Sequence, residues 1–171
     1  MDLHSELRFE ADPYAVFSML TDEEYIAKKT AAAKALRHDV TVTHDFDDAG
    51  QPTGQVTIKL VRVMPPDVPN FARRFVGETI DVKQTDTWRP AAPDGSRDGE
   101  IHLEMIGMPV TCHGRMSLRA AGPSTVLTIR ATIEASVPLF GNKIEEAVHQ
   151  GLTEAARIEE QVGRDWLAGP R

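Results

Sequence analysis

Chemistry in this chain has to come from a few polar side chains that interrupt apolar patterns. Glu159 is the first of them. At about 100° per residue along a helix, Ile144, Val148, Gly151, Ala155, Ile158, Val162 and Trp166 share one arc, with Ala147 and Leu152 at its edges. Glu159 projects inside that arc, between Val148 or Trp166 and Leu152. A carboxylate on a face that covers the protein body must be paired, protonated or hydrogen-bonded, because burying it bare is costly. In a cavity it can bind a hydroxyl or serve as a general base; at the margin of the stripe it can instead reach the rim and pair with a cation.

His44 lies between Val42 and Phe46 on an inward-facing alternation. A neutral imidazole there can donate to a ligand oxygen or shuttle a proton, or be held by a neighbour at the open end of a cleft. Gln84, Asp86 and Trp88 continue the face set by Ile80 and Val82, and Cys112 shares a face with Gly114, Met116 and Leu118. Gln84, Asp86 and Cys112 together would form a polar patch on an apolar wall, the usual form of a pocket that orients one ligand. Cys112 as a nucleophile needs a base. His113 is adjacent in sequence but points to the opposite face of a strand, so that dyad fails. The histidines show no HxH or HExxH spacing, and no phosphate loop, nucleophile elbow or Ser-His-Asp signature occurs. No metal and no cofactor are expected, no catalytic motif is recognised, and the question of an enzyme stays open.

These residues need a frame. Residues 3–10 alternate Leu3, Ser5, Leu7, Phe9 against His4, Glu6, Arg8, Glu10, the pattern of a strand with one wet face. Asp12-Pro13 caps a short helix carrying Phe17 and Leu20. Thr21 and Glu24 have capping-box spacing for a second helix through Leu36, with Tyr25, Ile26, Ala32, Ala33 and Leu36 inside. Alternation returns from His38 through Phe46, and again with Val56, Ile58 and Leu60. Prolines from Pro65 to Pro69 stop that strand. Phe71 and Phe75 flank Arg73 and Arg74 in a brief helical turn, which is either a loop stapled by its aromatics or a contact for an anionic head group. Three further strands carry Ile101, Leu103 and Met105; Cys112 to Leu118; and Leu127 to Val137. A loop at Met108-Pro109 would set Met105 opposite Cys112, Leu103 opposite Gly114 and Glu104 opposite His113. Trp88 opposite Ile101 would set Asp86 against Leu103 and Gln84 against Met105. Pro138 to Ala168 reads as the long closing helix.

Composition narrows the function classes. Nineteen Lys and Arg against 26 Asp and Glu give a net charge of −7, which argues against general affinity for nucleic acid or an anionic membrane. With Cys112 alone no intrachain disulfide forms, and a reducing, cytoplasmic setting is expected. No leader is read at the N-terminus and no apolar run of about 18 residues occurs, so stable membrane insertion is not expected. Length fits one domain over 1–171.

The order strand, two short helices, six strands and long C-terminal helix resembles the helix-grip order of the START and birch-pollen-allergen-like superfamily. Trp88, the run Val137-Pro138-Leu139-Phe140-Gly141-Asn142-Lys143-Ile144-Glu145, Glu159 and Trp166 resemble an uncharacterised actinobacterial branch of it. The resemblance implies an α+β fold: a seven-stranded curved antiparallel sheet wrapped around the last helix, with two short helices between strands 1 and 2. It also implies an apolar cavity between sheet and helix, which in relatives takes lipids, sterols, polyketides or plant hormones.

The leading expectation is therefore binding or transport of a small hydrophobic molecule. Trp88, Met105, Met116, Ile129, Val148, Ala155 and Val162 would be the walls, and small Gly151 and Ala155 would leave room beneath the helix. An enzyme of cyclase, aromatase or hydrolase kind would use His44, Asp86 or Glu159 in the same cavity. A protein-interaction module, monomer or homodimer, would have the cavity filled by side chains.

Overall fold

In the computed structural model, which describes residues 1–169, the alternating stretches become strands because each has one apolar face to bury. In chain order the elements are β1 (Asp2–Phe9), α1 (Pro13–Leu20), α2 (Glu23–Ala32), β2 (Arg37–Phe46), β3 (Pro52–Met64), a 3-10 turn (Asn70–Phe75), β4 (Ile80–Trp88), β5 (Arg97–Met105), β6 (Val110–Ala121), β7 (Ser124–Ala135) and α3 (Gly141–Ala168). All strand pairs are antiparallel, in the spatial order β1-β7-β6-β5-β4-β3-β2. The core is one apolar layer on the sheet's inner face, from Leu3, Leu7 and Phe9 through Leu103 and Ile133, closed by α1, α2 and α3. This is the α+β helix-grip arrangement expected from the sequence.

The caps show why α1 and α2 stand where they do. Asp12 accepts from the Ala15 amide and Pro13 fills the first turn of α1. For α2 the cap is Asp22, not Thr21: its carboxylate accepts from the Glu24 and Tyr25 amides. Thr21 instead ends α1, donating its hydroxyl to the Phe17 carbonyl. The helix stops at Ala32, short of the expected Leu36, because Lys34 adopts φ +66° and turns the chain into β2. Leu36 is consequently exposed.

Registers differ from expectation by one step of the pleat. Val82 faces Met105 and Trp88 faces Gly99 across β4–β5; Met105 faces Val110 and Leu103 faces Cys112 across β5–β6. The β5–β6 connection takes four residues, 106–109, rather than Met108-Pro109 alone. A shift by two residues keeps every side chain on its predicted face, so the inward set survives. On the outer face the expected Glu104–His113 pair is replaced: Glu104 faces Thr111 and lies 3.5 Å from Lys83, while His113 faces His102.

The two ends of α3 are fastened differently. Near its start, Phe140 stacks on Phe71 (6.4 Å between centroids) and tilts against Phe75 (5.5 Å), with the Arg74 guanidinium 4.3 Å from the Phe140 ring centre. The turn carrying Arg74 is thus stapled by its aromatics to the helix. Near the other end, Trp166 meets Tyr25 edge-on at 5.8 Å, and Gly163 is buried against β1. A Cβ on Gly163 would stand 2.4 Å from the Phe9 ring and 3.1 Å from the Met19 methyl, so only glycine lets the helix sit this close.

Candidate ligand pocket

That close seat turns the helix. The side chains facing the core are Ile144, Val148, Leu152, Ala156, Val162, Trp166 and Leu167, an arc rotated by about 50° from the sequence reading, at about 100° per residue. Ile158 and Gly151 move to the outer edge; Glu159, which the sequence sets inside the stripe or at its margin, stands at the middle of the inner face. Its carboxylate meets a cation from α2: Lys29 Nζ donates to Glu159 Oε1 at 2.8 Å, both side chains being about a fifth exposed (17% and 20%). The Tyr25 hydroxyl donates to the Glu159 carbonyl at 3.2 Å, and burial holds that phenol well above its ordinary range. One helical turn of α2 therefore binds both the main chain and the carboxylate of residue 159.

Across from this pair, β3 and β4 present a second polar group. Leu60 faces Gln84 and Ile58 faces Asp86, so two polar side chains of β4 stand beside the two aliphatic ones of β3. Arg62 follows Leu60 on the same face; its Nη1 donates to Gln84 Oε1 at 2.9 Å. With its oxygen so held, the Gln84 amide turns its nitrogen to Asp86, donating to Oδ1 at 3.0 Å and Oδ2 at 3.1 Å. Among the described residues Asp86 accepts from nothing else, and no cation lies within ion-pair distance of it. Desolvation pushes its carboxyl up to about 6, against the opposing pull of Lys29 and the Gln84 amide. Burial likewise lowers the Arg62 guanidinium from its usual value, with Asp86 pulling the other way.

Between the two polar groups lies a pocket floored by Ile58, Leu60, Trp88, Ile101, Met116, Leu127 and Ile129 and closed above by Leu20, Ile26, Lys29 and Glu159. Its free volume is about 40 Å³, room for a few waters and much too small for a lipid chain. Phe17 holds the Trp88 floor edge-on at 5.8 Å.

Six predicted residues meet at this pocket: Gln84, Asp86, Trp88, Met116, Ile129 and Glu159. Others lie elsewhere. Met105, Cys112 and Val148 belong to solid core further along the sheet, and Ala155 and Val162 are half-buried on α3 off the pocket wall. His44 is exposed: its place opposite Val56 is at the end of edge strand β2, where no helix covers it. Gly151 is exposed too, and a Cβ there would touch nothing within 4 Å, so it opens no room beneath the helix. Cys112 is buried, with its thiol pushed up to about 11 by desolvation, which makes it a poor nucleophile. Two participants were missed. Arg62 continues the alternation Val56, Ile58, Leu60, and Lys29 stands one turn beyond Tyr25 and Ile26; in each case the phase of the pattern pointed inward and the charge masked it.

The outer face carries a wide open depression of about 360 Å³ between Thr85, Thr87, Glu100, His102, His113 and Arg115. Among the described residues no three His, Cys, Asp or Glu side chains are grouped to hold a metal ion, and no helix is long and apolar enough to cross a membrane.

A seven-stranded antiparallel sheet packed on a long last helix is a fold that this chain shares with solved START superfamily structures. The chain belongs to the family described as a protein of unknown function (DUF2505), whose model matches residues 4–167. It is 24% identical over 114 residues to an uncharacterized protein of Mycobacterium tuberculosis; the match takes in 66% of this chain and 64% of that one, so it spans less than two thirds of the curated relative. Among solved structures it is similar to human STARD10 (TM-score 0.62, 10% identity, 97% of this chain and 64% of that one). It is also similar to a START superfamily protein of Mycobacterium smegmatis (TM-score 0.54, 14% identity, 98% and 99%). At these identities the likeness carries the fold and leaves function to the site.

Proposed function

We propose that this protein binds a small, mainly apolar molecule in the pocket between the sheet and the second half of α3. The observation that carries this reading is the convergence of four polar side chains from three elements, Lys29, Gln84, Asp86 and Glu159, onto an otherwise apolar floor. A core built only for stability gains little from such a group, since replacing buried charges by apolar residues is often neutral or favourable. A pocket that must orient one ligand has a use for it. The 40 Å³ of free space means that a ligand larger than a few waters is admitted by displacing side chains or by parting α2 from α3, whose bridge over the pocket is the Lys29–Glu159 pair.

Acid–base catalysis by Asp86 is the second reading, favoured by a carboxyl pushed up to about 6. Against it, among the described residues Asp86 is hydrogen-bonded only by the Gln84 amide, which relays no proton, and Glu159 is committed to Lys29. Binding is therefore the reading preferred. Native mass spectrometry of the protein purified from cells that make it naturally tests this. A co-purifying small molecule, lost in a pocket-filling Ile129→Trp variant that remains folded, is the expected result. Identical naked masses for both proteins, together with no thermal shift of either in the hydrophobic dye ANS, would overturn it.

A further inference from the structure

The pocket keeps hydrogen-bonding capacity that its own side chains do not use. Both cations are engaged: Lys29 donates to Glu159 and Arg62 to Gln84. Both Gln84 functions are used, its oxygen by Arg62 and its nitrogen on Asp86. Unused capacity remains on Asp86, whose two oxygens offer about four acceptor positions and, among the described residues, receive only the Gln84 amide, and on the Lys29 ammonium, which spends one of its three donors on Glu159. Charge adds a second constraint. Lys29 and Arg62 balance Asp86 and Glu159, so the site is formally neutral with all four ionised. An ionic ligand would bring an unbalanced charge into a desolvated space.

Resting on the binding reading above, we infer that the ligand is an alcohol or phenol: an apolar molecule with a neutral hydroxyl, which donates its hydrogen bond to Asp86. In this arrangement Arg62 is a positioning residue. Its bond to the Gln84 oxygen fixes which way the amide points, and so leaves the pocket side of the Asp86 carboxylate as an acceptor.

The test uses the full chain and three probes of one chain length, decan-1-ol, decanoate and decylammonium, titrated calorimetrically at neutral pH, with ANS fluorescence as a measure of the apolar pocket. Decan-1-ol should bind at least about tenfold more tightly than either ion, the size expected for a hydrogen bond to a charged group. Asp86→Asn should weaken decan-1-ol by about tenfold while the variant keeps the wild-type fold by circular dichroism. Tighter binding of decanoate or decylammonium by the wild type would overturn the hydroxyl assignment while leaving the pocket standing, and this comparison needs no variant to fold. Undiminished decan-1-ol binding by folded Asp86→Asn would overturn the role of Asp86. Failure of all three probes and of ANS would remove the binding reading itself, and the hydroxyl assignment with it.

Discussion

The two halves of α3 lie on the same sheet, yet they cover different things. The first half contributes Ile144, Val148 and Leu152 to the apolar cluster that also holds Val82, Met105 and Cys112, and the start of the helix is pinned by the Phe71–Phe140 stack. Under the second half the sheet presents Gln84 and Asp86 between apolar neighbours, and the helix answers with Glu159 and its Lys29 partner. One half has the makeup of a core and the other that of a site. The division shows where a fold of this kind departs from optimal packing: the polar groups and the free space are gathered at one end, and stability is left to the other.

The largest effect expected of this division is a pH dependence centred on Asp86. Its folded carboxyl is raised to about 6 from an ordinary value of 3.8. At pH values below both, the carboxyl is protonated folded and unfolded, and burial carries no ionic penalty. As pH rises from about 4 to about 6 the unfolded chain releases its proton first, so stability falls, and above about 6 the loss is complete. The penalty reaches up to about 3 kcal/mol, at about 1.4 kcal/mol per unit. Urea unfolding of wild type against Asp86→Asn across this range should show the wild type losing ground to the variant by that order. Parallel curves would mean that Asp86 is well solvated and the second half of the helix covers no special site.

A smaller contrast separates two glycines of the same helix. Gly163→Ala pushes a methyl against Phe9 and should cost about 2 kcal/mol by overpacking. Gly151→Ala, with nothing within 4 Å, should gain up to about 1 kcal/mol from helix propensity alone. Chemical denaturation of both variants measures the difference. Equal effects would show that α3 is not seated through Gly163.

The sequence carried the fold far because period-two alternation is insensitive to the errors made. A register wrong by two residues at β4–β5 and β5–β6 leaves Gln84, Asp86 and Cys112 on the correct face. The helix was less forgiving. Its stripe reads as Ile144, Val148, Gly151, Ala155, Ile158, Val162 and Trp166, whereas its orientation is set by a contact that only Gly163 permits, and a glycine carries no apolar bulk to mark that contact. Hence the sequence leaves Glu159 between the inside of the stripe and its margin, and sets Gly151 underneath. Arg62 and Lys29 were missed for a related reason: pattern reading assigns cations to solvent, and their inward positions depend on carboxylate and amide partners distant in sequence. His44 shows the converse error, since alternation marks the inner face of an edge strand but not where the covering helices end.

The most direct measurement is a methyl NMR titration of the native protein with decan-1-ol. Shifts should concentrate at the methyls of Ile58, Ile101, Met116 and Ile129, which line the pocket, and leave Met105 and Met108, which belong to the packed surroundings, in place. Shifts centred on Met105 and Met108, or none at saturating alcohol, would contradict the assignment of the site to the second half of α3.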